Sequence, residues 1–276
     1  MKVQWNHRLH SLRAEENGVT AEIAQLDQMA MGYPIQRTEW VVAKTSEWHP
    51  RFVIGADGHD SAVRRMSGIG TKGMGTAITM SVFEVEGKGD LPEEARVVLD
   101  PDRVSIYWPL EPGRCRWGFQ IRATSEHDAS VERLGDLLAT RAPWFTSRPT
   151  DIYWSTLALF ETRIADRFGQ GAAWLVGDAA HLASPIGVQS MNVGLREASD
   201  LATSMAAILR GAAPKTALEE YDAAARADWQ ARMASSPTGM PAGGAPWVER
   251  NRSRILPCVP ASGADLAPLL RQIGLA

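Results

Sequence analysis

Two stretches far apart in the chain each run an apolar strand signal into an aspartate, and together they constrain the fold more than any other feature. "AAWLVGDAAHLASPIGVQSMN" (172–192) opens as a buried strand, breaks at Gly177-Asp178, passes a loop rich in Gly, Ser and Pro, and resumes as a helix pattern near Asn192. "RFVIGADGHDSAVRR" (51–65) repeats the pattern with Asp57-Gly58. In open α/β sheets, ligands bind outside the carboxyl ends of the strands. A helix start beside such an end presents unpaired N–H groups and the positive end of its dipole. The arrangement suits a ligand that offers hydroxyls to the aspartate and a partly negative edge to the helix. Taken singly, a Gly-Asp pair also reads as a capped structural turn. Two of them predict strands that are neighbours in space.

Between the two aspartates the pattern changes. "TAITMSVFEVEG", "RVVLD", "RVSIYWPL" and "CRWGFQIRA" read as strands, parted by turn chemistry at "GKGD" and "EPGR", which predicts an antiparallel sheet. "SVERLGDLLATRAPWF" then carries Val131, Leu134, Leu137 and Leu138 at helical spacing behind Ser130 as a cap. Ahead of Asp57, "KVQW", "GVTAEIAQL" and "EWVVA" read as a β-meander. After the loop, Met191, Leu195, Ala198, Leu201, Met205 and Ile208 recur at steps of three and four, with Gly211 placed to end the helix. "APKTALEEYDAAARADWQARMA" predicts a second long helix, "SSPTGMPAGGAP" a linker and "GADLAPLLRQIGL" a short closing helix. The resulting layout is mixed α/β. It has a meander with the Asp-Gly motif (1–75), an antiparallel-sheet domain (76–158), the Gly-Asp motif with its helix (159–211), and C-terminal helices with a linker (212–276).

Composition removes several function classes. A formal net charge of -3 and a pI near 6.1 argue against a nucleic-acid binder. Cys115 and Cys258 are far apart and lack metal-ligand spacing, so neither a disulfide framework nor a metal site is expected, and a reducing cytoplasm is the expected compartment. No apolar run has the length of a transmembrane segment, and "KVQWNHRLHSLR" after Met1 lacks the apolar core of a signal peptide. Among the 10 tryptophans, Trp108, Trp117 and Trp154 fall in or near the predicted sheet, where two readings stand open: lining of an aromatic pocket, or sheet core.

The paired motifs resemble the group A flavin-dependent aromatic hydroxylases, monooxygenases with a p-hydroxybenzoate hydroxylase-like fold. The family pattern Asp-Gly-x-x-Ser-x-Val-Arg is matched at Asp57, Gly58, Ser61, Val63 and Arg64. The second pattern is matched at Gly177, Asp178, Ala179, Ala180, His181, Pro185, Gly187, Gln189, Asn192 and Gly194. The resemblance implies a FAD-binding Rossmann-like domain with an inserted antiparallel β-sheet substrate domain. It implies hydroxylation of a small aromatic or polycyclic molecule with NAD(P)H and O2. It also implies that Asp178, beside Gly177, accepts a hydrogen bond from the ribityl chain of FAD, and that Asp57 and Gly58 support FAD and the pyridine nucleotide. Pro185, Gly187, Gln189, Ser190, Met191 and Asn192 would border the isoalloxazine ring, their backbone N–H groups facing the edge that gains negative charge on reduction. His181 keeps two readings, flavin neighbour or structural histidine, and the resemblance singles out no catalytic base. The chain departs from the family with Val188 and Ser190 where Gly is usual and Glu197 where Asp is usual. The W-x-W-x-I-P signature of flavin halogenases is absent.

The family opens with a strand, a G-x-G-x-x-G turn and a helix that receives the FAD pyrophosphate. Nothing before Asp57 matches it, since Gly18 and Gly32 are isolated. The expectation is therefore an N-terminally truncated FAD domain without the ADP half-site. That places a second reading beside the monooxygenase: a non-catalytic remnant, or a module that binds small molecules and needs an N-terminal complementing fragment. Expressed alone, the 276 residues are expected to retain no FAD and to oxidise no NAD(P)H above background, because the usual partners of the pyrophosphate are not among them. Purification as a yellow monomer with bound FAD would overturn this expectation.

Overall fold

The computed structural model describes residues 2–32, 35, 37–89, 91–100, 103–122, 130–183 and 190–235. Pro185, Gly187, Val188, Gln189, the linker beyond Ser235 and the expected closing helix lie outside the described residues. In chain order the elements are β1 (His7–Glu15), β2 (Gly18–Met31), β3 (Arg37–Trp48), β4 (Val53–Gly55), α1 (Ala62–Met66) and β5 (Thr71–Gly73). They continue with β6 (Ile78–Lys88), β7 (Arg96–Asp100), β8 (Arg103–Pro109), β9 (Arg114–Ile121), α2 (Val131–Arg141) and β10 (Arg148–Phe160). The rest are β11 (Arg163–Ala165), β12 (Gly169–Gln170), β13 (Ala173–Leu175), β14 (His181–Leu182), α3 (Ser190–Leu209) and α4 (Ala217–Ser235). The fold is mixed α/β, and its described residues divide into two compact units, one within 1–75 and 162–235 and the other within 76–161.

In the first unit, β1, β2 and β3 form an antiparallel meander. The strand expected at "KVQW" does not form. Trp5 and Asn6 make a turn, with Asn6 in the left-handed region at φ 59°, and pairing with β2 starts only at His7↔Gln25. Asn visits that region through local hydrogen bonding more readily than most residues. A second sheet, ordered β12-β13-β4, contains the parallel pair β4 and β13, and a third is ordered β14-β11-β5. Leu201, Met205 and Ile208 of α3 pack with Trp174 and Val176, while Trp229 and Met233 of α4 join Val63, Phe168 and Leu175. Each such side chain contributes about 1.5–3 kcal/mol when fully buried.

The second unit is a five-stranded antiparallel sheet ordered β10-β6-β9-β8-β7. Its period-two alternation places Phe83, Val85, Tyr107, Trp117 and Phe119 in one core with Leu134, Leu137 and Leu138 of α2. Ser130 caps α2 by accepting from the Arg133 N–H. Trp117 stacks on Phe119 at 5.1 Å and 9° between ring planes. The sequence reading passes over β10, the edge strand beside β6: Asp151, Ser155 and Thr156 break its apolar run, and its register shifts between Ile152 and Trp154. Leu134 is 1% exposed in this core. Leu134→Ala is expected to cost about 2–5 kcal/mol through lost burial and a residual cavity. Equilibrium urea unfolding should show the lower midpoint without a change in slope.

Candidate functional site

Both motif aspartates lie just beyond the carboxyl ends of neighbouring parallel strands. Leu175 pairs with Gly55, and the chain reaches Asp57 two residues after Gly55 and Asp178 three residues after Leu175. Asp57 Oδ2 accepts from the N–H groups of Ala62 at 2.7 Å and Val63 at 3.1 Å, and Ser61 Oγ accepts from the Arg64 N–H at 2.9 Å. The first three free donors of α1 are thus satisfied. Partial burial by itself raises the Asp57 pKa, but hydrogen bonds from Ser61 and from the backbone of Val63, Asp57 and Ala62 outweigh it and hold the carboxyl below its ordinary value. Gly58 follows at φ +81°, a conformation that favours glycine.

Arg64 ties the first motif to the second. Its buried guanidinium donates from Nη1 to the Ala179 carbonyl at 2.7 Å and from Nη2 to the His59 carbonyl at 2.8 Å. Arg163 Nη2 donates to that same His59 carbonyl at 2.7 Å. Ala179 closes a single 3-10 turn, Gly177–Ala179, in which Gly177 has φ +59°. A Cβ on Gly194 would stand 3.3 Å from Gly177 Cα, so α3 rests on the turn almost backbone to backbone. Asp178, on this turn, is exposed and makes no hydrogen bond or ion pair among the described residues. Helix α3 is described from Ser190, so Ser190, Met191 and Asn192 all lie on it. Met191 and Leu195, one turn apart, are exposed.

His181 is a buried structural residue at 2% exposure. Its Nε2 donates to Glu197 Oε2 at 2.8 Å, and its ring stacks on Trp229 with centroids 3.6 Å apart. Trp229 Nε1 donates to Glu197 Oε1. Sequence reasoning missed this trio and the Arg64 clamp. The signal for Trp229 was present, since Leu218, Tyr221, Ala225, Trp229 and Met233 recur along α4 at helical steps.

The second unit holds a cavity of about 380 Å3 on the sheet face opposite α2. Direct cross-strand pairing links Trp154 to Glu84, Glu84 to Arg116, and Arg116 to Trp108, so the four side chains make one transverse row on a shared face. Glu84 Oε2 accepts from Arg116 Nη2 at 2.8 Å and from Trp154 Nε1 at 3.0 Å, while Oε1 accepts from Arg114. The Arg116 hydrogen bond, opposed by burial and aided by Trp154, holds the Glu84 carboxyl below its ordinary range. Trp108 and Trp154 line the cavity, whereas Trp117 belongs to the opposite, fully buried face. A larger cavity of about 700 Å3 in the first unit lies among Arg51, Phe52 and Ala172, at the amino-terminal ends of β4 and β13 and away from both aspartates.

A family model described as "FAD binding domain" matches residues 1–236. The chain belongs to that family, the group A aromatic hydroxylases. It is 28% identical over 230 residues to a 3-(3-hydroxy-phenyl)propionate/3-hydroxycinnamic acid hydroxylase of Mycolicibacterium smegmatis, covering 82% of this chain and 37% of that protein. It is 29% identical over 234 residues to the aklavinone 12-hydroxylase DnrF of Streptomyces peucetius, covering 80% of this chain and 44% of that protein. The chain thus spans less than half the length of these curated relatives. The p-nitrophenol 4-monooxygenase PnpA of Pseudomonas putida shares the fold with a TM-score of 0.69 at 20% identity, over 98% of this chain and 65% of that one. An aklavinone-11 hydroxylase solved with FAD and aklavinone matches with a TM-score of 0.58 at 27% identity, over 83% of this chain and 44% of that one. No helix among the described residues is long and apolar enough to cross a membrane.

The cap on α1 generates a pH-dependent prediction. Because the folded Asp57 pKa is depressed, its stabilisation is present above the unfolded carboxyl value and is lost as pH falls through the folded one. Asp57→Ala is expected to cost about 0.5–2 kcal/mol near neutral pH, the usual range for a lost cap. In urea unfolding the gap between the two proteins should shrink in acid. A gap independent of pH would show that the ionised carboxylate does not cap α1.

Proposed function

We propose that this chain holds FAD through its first unit and a small aromatic or polycyclic substrate through its second, for hydroxylation of that substrate. The observation that carries the flavin assignment is the exposed Asp178 at a strand end, without a partner among the described residues, on a turn packed directly against a 20-residue helix at Gly194. Those groups suit a flavin. Asp178 offers acceptor oxygens to ribityl hydroxyls, the first backbone N–H groups of α3 are donors for an electron-rich ring edge, and Met191 and Leu195 present apolar surface to be covered. Gly177 lets the turn approach a ligand closely, and Pro185, Gly187 and Gln189 complete the loop in this reading. Asp57 and Gly58 act by setting α1, so that Arg64 can hold the Gly177–Ala179 turn in place.

FAD reduced by NAD(P)H supplies the activation of dioxygen, one oxygen atom going to the substrate ring and the other leaving as water. The protein's own residues bind, orient and exclude water. In the second unit, Met80, Val82, Trp108 and Trp154 give the cavity an apolar wall for a planar ring. The cytoplasm, where NAD(P)H is regenerated, is the compartment that goes with this reading.

Asp178→Ala tests the assignment. In the chain supplied with the glycine-rich segment of a relative, loss of one charged hydrogen bond is expected to weaken FAD by about 1.5–3 kcal/mol. That is roughly 10- to 150-fold in the dissociation constant. Flavin fluorescence titration measures it, with circular dichroism to check the fold. Unchanged affinity would remove Asp178 from the site.

A further inference from the structure

Asp178 carries no bond of its own among the described residues, so its position is set by the backbone of the Gly177–Ala179 turn. That turn is held from two sides. On one side Arg64 donates to the Ala179 carbonyl, and α3 rests on Gly177 at Gly194. On the other side the chain leaves through Ala180 into β14. There the Ala180 N–H donates to the Gly177 carbonyl at 2.8 Å, and the Ala180 carbonyl accepts from the Ala165 N–H at 2.7 Å. His181 follows at once, the first ring after Asp178 in the chain.

What fixes His181 comes from a helix outside both motifs. Its Nδ1 is buried without a partner, so the bond from Nε2 to Glu197 is the ring's one hydrogen bond among the described residues. Glu197 is itself buried, and a buried carboxylate needs donors; its second oxygen finds one in Trp229 Nε1. The fully buried Trp229 also covers one face of the His181 ring, with centroids 3.6 Å apart and 23° between planes, while Phe168 lies 5.7 Å away at a tilt of 37°. One indole thus supplies both the surface that the histidine stacks on and the donor that completes its acceptor. Filling space alone would call for an apolar ring, since an indole N–H is a liability in a core unless it meets an acceptor.

We propose that Trp229 is a positioning residue for the flavin site: through Glu197 and His181 it sets the turn from which Asp178 reaches the cofactor. The inference rests on the reading of Asp178 as an acceptor for FAD. Members of a buried hydrogen-bond network orient one another, so removing the indole N–H loosens the turn and not only the core around it.

Amide hydrogen exchange of the flavin-free 276-residue chain, read by NMR, tests the hold on the turn. Trp229→Phe keeps a ring against His181 and deletes the donor, leaving one Glu197 oxygen unsatisfied. Exchange at the Ala180 N–H is expected to quicken roughly tenfold. The Val19 N–H, bonded to the Pro50 carbonyl at 3.0 Å in the same unit, should change by less than about twofold. Glu197→Gln should reproduce the pattern and serves where Trp229→Phe does not fold. Equal quickening at both amides, or none at Ala180, would overturn the proposal.

A double-mutant cycle on FAD affinity, in the chain supplied with the glycine-rich segment of a relative, tests the link to the cofactor. Trp229→Phe should weaken FAD roughly three- to tenfold in the otherwise unaltered chain, and by less than about twofold in the Asp178→Ala background. Equal weakening in both backgrounds would show that Trp229 supports the core alone, overturning the inference while the reading of Asp178 stands. If Asp178→Ala leaves FAD affinity unchanged, that reading falls and the inference falls with it.

Discussion

Three residue pairs between Val53–Gly55 and Ala173–Leu175 set the two motif strands side by side. Parallel strands cannot be joined by a tight turn and need a long crossover. Here the residues between the two strands include the whole described part of the second unit, residues 76–161. So short a ribbon contributes few hydrogen bonds, and its stability has to come from what packs on it. Val63 of α1 shares a core with Leu175, and Leu201 and Met205 of α3 share another with Trp174 and Val176. The strand ends are therefore fixed by helices on the ribbon more than by the ribbon itself. Arg64 adds a bond between turns 115 positions apart.

The same ending has two fates at the two strand ends. Asp57 is followed within five residues by the start of α1, so its carboxylate finds free N–H groups and is consumed as a cap. Asp178 sits within a 3-10 turn that leads into the short β14, and no helix directly follows it. No donor among the described residues bonds it, and its carboxylate is exposed. The two carboxylates thus divide the work: one caps the helix that carries Arg64, and the other faces outward.

Much of this was legible in the sequence because strand ends, caps and helical periodicity are local. The apolar runs into Asp57 and Asp178, the Ser130 cap and the stripe from Met191 to Ile208 all follow from neighbours in the chain. What was not legible depends on partners distant in sequence. Asn6 turns the chain away and leaves "KVQW" without a strand to pair with. An edge strand such as β10 buries little of one side, so polar residues are tolerated and the alternation fades. Glu84 and Arg116 look like ordinary surface charges until register places them side by side between two tryptophans. Trp117 and Trp108 illustrate the point, being nine residues apart in sequence yet committed to opposite faces by which strand position each occupies.

Glu197, where the resemblance to the family leads one to expect Asp, has a physical account in the same terms. Its two oxygens serve different elements, one accepting from His181 beside the Asp178 turn and the other from Trp229 on α4. A buried carboxylate needs such donors, since desolvation without them is costly. An aspartate at this position would be one methylene shorter and could not span both partners without moving α3 toward them. The longer side chain and Trp229 therefore belong together: the indole fills the space against the His181 ring and supplies the second donor. Through that trio, a residue on α4 that touches neither motif aspartate fixes the turn on which Asp178 sits, so the geometry of the exposed carboxylate is set partly from a helix well outside both motifs.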